Sequence, residues 1–159
     1  MKRFITYFLL LAMLMSALTI PVLADSNHSD TTFDFDIYFN SFNNRVTMRA
    51  KLNSSPVYMW IQQIYDNTAF TCVRIEGFKF DRYGNVVEES TSLTLSNGSL
   101  VPYVSCNVNT KYLIHTLYFE EDFHSVRPAF RSGGPTVTHI SGKWSPDSIG
   151  DYEDAVYYQ

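Results

Sequence analysis

The stretch "FDFDIYFN" alternates without a break: Phe33, Phe35, Ile37 and Phe39 fall on one side of an extended chain, and Asp34, Asp36, Tyr38 and Asn40 on the other. A period of two suits a half-buried β-strand and rules out a helix there. The alternation resumes in "RVTMRAKL", with Val46, Met48, Ala50 and Leu52 inward and Arg45, Thr47, Arg49 and Lys51 outward. Facing parity predicts a hairpin with its turn at Phe42-Asn43, Asp36 opposite Arg49 and Asp34 opposite Lys51. Such pairs contribute tenths of a kcal/mol to about 1 each, so they mark register and not a functional site.

The same grammar continues to the end of the chain. "SSPVYMWIQQI" reads as a strand begun at Pro56, where a missing N–H is tolerated. "FTCVRIEGFKF" changes its apolar parity across Glu76-Gly77, which predicts a β-bulge. Asn97-Gly98 between apolar runs is the strongest hairpin signal. "KYLIHTLYF", "SVRPAFR" and "TVTHISGKW" follow, with Pro128 marking an edge or a break. The expectation is an all-β chain, an antiparallel β-sandwich of about eight or nine short strands, with a flattened barrel as the alternative.

Before these strands, Lys2 and Arg3 precede an apolar run centred on Phe8 to Met15, and Val22 and Ala24 stand at cleavage spacing. This is the pattern of a secretory signal peptide cleaved after Ala24; the run is too short for an anchor. The expected organisation is a signal peptide at 1–24, one domain at 25–148 and an acidic, Tyr-rich tail at 149–159. The mature chain is then secreted, with no membrane attachment. Once Lys2 and Arg3 leave, 16 acidic residues outweigh the rest of the 12 basic ones, so no basic stripe is visible for nucleic acid. In an exported chain the two cysteines, Cys72 and Cys106, are expected to form a disulfide.

Chemistry is harder to find. The chain lacks the G-x-S-x-G, H-E-x-x-H, G-x-G-x-x-G and Walker signatures, and no cofactor is implied. His115 and His139 lie on strands that can meet, but without metal-ligand spacing, and the acids from Asp147 to Asp154 lack the calcium-loop order. No metal site is expected. Ile140 and Trp144 share a face with Gly142 between them, so Trp144 reads as a core plug. Pro146 ends the ladder, and Ser145 and Asp147 can bond the turning backbone. Beyond Ser148, the tail is expected to form a short helix with Ile149, Tyr152 and Val156 on one face, or to stay unpacked.

One pattern rises above structure. Tyr58, Trp60 and Gln62 lie opposite the apolar Val57, Met59 and Ile61, and Tyr112 and Tyr118 lie opposite Leu113 and Leu117. If these second faces are exposed together, they form an aromatic platform for a glycan, a cell-wall component or a protein.

The leader, the "FDFDI" strand, the "NNRVTMRAKLNSSPVYM" segment and the closing "ISGKWSPDS" resemble a group of small exported proteins of Gram-positive bacteria known only as a domain of unknown function. The resemblance implies a bacterial secreted β-domain and brings no catalytic residue with it. The cysteine pair and the tail after Ser148 fall outside that pattern. The expected function is non-enzymatic binding at or beyond the cell surface, with a bacteriocin-like antagonist as the alternative and a secreted hydrolase third.

Overall fold

The structure is a computed structural model that describes residues 28–39, 41–65, 70–148, 152 and 154–159. The expected signal peptide, its cleavage position and most of the tail before Asp154 lie outside the described residues. In chain order the strands are β1 (Thr31–Ile37), β2 (Asn44–Arg45), β3 (Arg49–Ala50), β4 (Val57–Ile64), β5 (Phe70–Phe80), β6 (Val86–Ser90), β7 (Thr94–Ser96), β8 (Ser99–Val101), β9 (Val104–Asn107), β10 (Thr110–Ile114), β11 (Ser125–Ser132), β12 (Thr138–Ser145) and β13 (Ala155–Tyr158). The described residues contain no helix.

One sheet runs β1-β12-β4-β10-β13; the other runs β2-β11-β5-β6, with β3 also on β11 and β9 on β5. Their inner faces share one core. Phe33, Met59, Ile61, Ile140 and Trp144 come from the first sheet and meet Val73, Ile75, Val126 and Phe130 from the second. Phe33 and Phe130 touch across the layers with ring centroids 4.8 Å apart. The all-β, sandwich-like architecture is as the alternation implied.

The first hairpin does not form as expected. β1 pairs with β12, with Phe33 opposite Gly142, Phe35 opposite Ile140, and Asp36 opposite His139. Alternation dictates which side of β1 is buried but not which strand lies beside it. Gly142 makes this partner possible, because a Cβ there would stand 2.2 Å from the Trp60 carbonyl oxygen and 2.6 Å from Phe33 Cζ. Arg49 bonds the Ser29 carbonyl and, at 2.8 Å, the Thr31 hydroxyl. Lys51, expected to face solvent, is fully buried, and Leu52 is exposed.

Lys51 Nζ donates to the carbonyls of Ser55 (2.6 Å) and Pro146 (2.9 Å) and to Asp147 Oδ1 (3.1 Å). The Trp-Ser-Pro-Asp-Ser end of β12 is thereby tied to the segment before β4. Ser145 closes the turn by donating to the Asp147 carbonyl at 2.7 Å. β2 and β3 are short because their partner β11 carries Pro128, which has no N–H to give; Val46 N–H donates to the Pro128 carbonyl between them.

Of three other local expectations, the first holds and the other two do not. Asn97 and Gly98 both have positive φ, 51° and 71°, as a two-residue hairpin turn between β7 and β8 requires. The bulge expected at Glu76-Gly77 is absent: β5 stays in register with β11 from Thr71 to Phe78, and the irregularity falls at Lys79/Phe80 against β6. The tail forms no short helix at its end; β13 adds to β10 as a parallel strand.

The expected disulfide is not formed. Cys72 sits opposite Ser105, and Cys106 sits opposite Thr71, one step out of line. Neighbouring residues on a strand point to opposite faces. Cys106 therefore joins the core, while Cys72 faces outward beneath Arg131. Burial, with Cys72 nearby, pushes the Cys106 thiol well above its usual range.

Candidate functional site

The five residues expected to build an aromatic platform are not presented together. Tyr112 lies opposite Met59 on the inner face of β10; its hydroxyl accepts the Asn107 N–H at 2.7 Å, and its ring stacks on Tyr158. Tyr118 is fully buried over Gly77, and its hydroxyl donates to the Ile75 carbonyl at 2.5 Å. Burial pushes its phenol above the usual range, with hydrogen bonding to Leu93 and Ser90 acting against it.

Tyr58 does lie on the outer face of β4, but Tyr152 stacks on it at 5.0 Å. Its phenol is pushed up to about 12 by burial, then by Asp30 and Tyr152. Trp60 and Gln62 remain half-exposed, with Lys111 Nζ 6.0 Å from the Trp60 ring centroid. Strand parity placed Tyr58 and Trp60 correctly on one face; it could not show that the returning chain covers it. Tyr112 was assigned the wrong side because both faces of β10 are buried, and Tyr118 because it lies in the turn after β10, where strand alternation has already ended.

The pairing of β1 with β12 assembles a different surface. Ile37 stands opposite Thr138, so the chain leaving β1 and the chain entering β12 run side by side. Tyr38, Phe39, Ser41, Asn43 and Asn44 from one, with Pro135, Thr136 and Val137 from the other, line an open cleft of ≈ 490 Å³. Tyr38 (51%), Phe39 (46%) and Val137 (54%) are large side chains left substantially in water. Asn44 is anchored by donating to the Asp36 carbonyl, and the Tyr38 carbonyl accepts from Ser132 N–H. Rings beside amides and hydroxyls can stack on and hydrogen-bond a polyhydroxylated ligand. The sequence carried a trace of this site in Tyr38, on the polar side of the alternation beside turn residues. Phe39 fell on the apolar side, but it lies beyond the end of β1 and is exposed, and only the strand pairing joins the two loops.

At the adjoining end of β1, His139 is held by two carboxylates, Nε2 to Asp34 at 2.5 Å and Nδ1 to Asp36 at 2.8 Å. Hydrogen bonding to Asp36, then to Asp34, raises its pKa against some desolvation. With both ring nitrogens engaged, it is poorly placed to act as base for a nucleophile. His115 shares no ligand cluster with it, and the described residues hold no group of three or more candidate metal ligands. Asp147, considered for calcium, is committed to Lys51.

A protein-family model described as "Protein of unknown function (DUF2712)" matches residues 20–148. No curated protein and no solved structure matches the chain.

Proposed function

The chain belongs to the DUF2712 family of proteins of unknown function, and from that premise we propose that it is an exported, non-enzymatic binding protein of a Gram-positive bacterium. The leader pattern and the resemblance to small exported β-domains support export. The observation that carries the binding role is the loop cleft, where Tyr38, Phe39 and Val137 stay exposed beside Ser41, Asn43 and Asn44. Its ligand is a glycan or a glycan-containing wall component: flat rings take the sugar's apolar face, and amides and hydroxyls take its hydroxyl groups.

The test is a screen of the mature domain against neutral oligosaccharides and purified peptidoglycan, followed by titration of the best binder. Phe39→Ala is expected to weaken binding by about 2 kcal/mol, as for a central aromatic anchor, with little change in thermal stability. Absence of binding across the screen, or equal affinity in Phe39→Ala, overturns this reading. Appearance in the culture medium of a chain beginning at Asp25 tests the export step.

A further inference from the structure

The outer face of the second sheet carries positive charge that the fold itself does not neutralise. Strand alternation puts Arg127, Ala129 and Arg131 of β11 outward, beside Arg74 and Glu76 of β5 and Arg45 of β2. Cross-strand register sets Ala129 between Arg45 and Arg74, and Arg127 directly opposite Glu76. A small residue therefore lies among four long cationic ones.

Glu76 has a fully buried carboxylate shared by three of these arginines. Its Oε1 accepts from Arg74 at 2.6 Å, and its Oε2 accepts from Arg127 at 2.8 Å and Arg45 at 3.0 Å. Burial pushes this carboxyl up, but the hydrogen bonds from Arg74, Arg127 and Arg45 outweigh it and leave the pKa below the usual range. One negative charge thus holds three positive ones. Among the described residues, the other carboxylate paired with these arginines is that of Glu89, 3.9 Å from Arg127 and half in solvent.

Arg131 adds a fourth charge and has no ion pair to a carboxylate among the described residues. Its guanidinium donates to Cys72 Sγ at 3.6 Å and lies 4.9 Å from the Tyr103 ring centroid and 5.1 Å from that of Phe42. Arg74 lies over the same Phe42 ring at 4.5 Å. The Nε–H groups of Arg74 and Arg131 are both buried without an acceptor among the described residues. Neutralising Glu76 requires one arginine, and the remaining guanidinium groups repel one another locally as like charges.

Guanidinium forks fit the paired oxygens of carboxylates and phosphates, and aromatic rings orient them. We propose that Arg45, Arg74, Arg127 and Arg131 form an oxyanion-binding site for the carboxylate or phosphate groups of an acidic polymer, with Glu76 as the buried counter-charge that holds the guanidinium groups in place. Phe42 and Tyr103 position the forks and give the face its apolar border. This site is distinct from the loop cleft and stands whether or not the cleft binds a sugar.

The test is calorimetric titration of the folded domain with oligogalacturonate as the carboxylate probe, polyphosphate as the phosphate probe and maltohexaose as the neutral control. At least one acidic probe is expected to bind, more weakly as salt rises from about 50 mM to about 200 mM. Arg131→Gln should weaken that binding roughly tenfold, Arg131→Lys should restore part of it, and Phe39→Ala should leave it unchanged. In the unsubstituted protein the NMR Nε–H signals of Arg74 and Arg131 should move on addition of the probe, a readout independent of how the variants fold. Binding by only one acidic probe identifies the group recognised. No binding by either at low salt, unmoved Arg74 and Arg131 signals on addition of an acidic probe, or equal movement of those signals by maltohexaose overturns the inference. Loss of cleft binding in Phe39→Ala bears on the glycan reading alone.

Discussion

Lys51→Met tests the most consequential contact that the structure adds to the sequence. Both Lys51 and Asp147 are fully buried, 3.1 Å apart, and Asp147 Oδ2 also accepts the Leu52 N–H at 3.1 Å. Removing the ammonium leaves a buried carboxylate without this cation and takes the donor from two carbonyls, at an expected cost of about 3–5 kcal/mol. That is a large part of the roughly 5–15 kcal/mol that holds a domain together. Asp147→Asn keeps the shape but leaves the ammonium without its counter-charge, at a similar cost. Since the pair can be lost only once, the double variant should fall short of the sum of the two by about 2 kcal/mol. Urea unfolding measures this as shifts in midpoint at constant slope.

A pH effect accompanies it. Burial pulls the Lys51 pKa below its ordinary value, and Asp147 only partly restores it. A lysine with a lowered folded pKa has its full cost below that pKa and loses the cost as pH rises toward the unfolded value of about 10.4. Without Asp147 the folded pKa falls further, so the deficit of Asp147→Asn should shrink over a wider alkaline range. Single costs under about 1 kcal/mol, or additivity within about 0.5, would refute the buried pair.

Three further outcomes are expected. Intact mass of the folded protein should show no loss of two hydrogens, and maleimide should label Cys72 and Cys106 only after unfolding; a native disulfide would contradict the opposite-face geometry. Trp144→Ala, at a fully buried core position, should cost about 3–5 kcal/mol, and Trp60→Ala, at a half-exposed one, distinctly less in the same thermal melts. The raised His139 pKa means that its bridge to Asp34 and Asp36 supports the β1–β12 pairing fully below the unfolded value of about 6.5, an effect lost as pH rises through the folded pKa. The opening free energy of β1 from hydrogen exchange, taken relative to the intrinsic exchange rate at each pH, should therefore fall from weakly acidic to weakly alkaline pH in the parent and not in His139→Gln.

What the sequence determined by itself is the local, periodic part of the fold. Alternation at Phe33, Phe35 and Ile37 made β1 a strand with a defined side, Asn97-Gly98 made a two-residue turn, and Ile140, Gly142 and Trp144 gave β12 its inward face. Each rests on neighbours in the chain, whose geometry follows from backbone sterics and a period of two. Partner choice has no such local signature. β1 could be placed beside 45–52 with matched charges, yet it lies on β12, where Gly142 leaves room for Phe33 and His139 takes both aspartates. The same limit governs the site. Tyr58 is covered by a tail whose terminal strand returns to β10, and the cleft joins Tyr38, Phe39, Ser41, Asn43 and Asn44 to 135–137 only because β1 ends where β12 begins. Parity did contain the cysteine answer, since Cys72 shares its side with Arg74 and Glu76 and Cys106 shares its own with Val104. Long-range pairing then decided that the two thiols lie on adjacent strands but on opposite faces of one sheet.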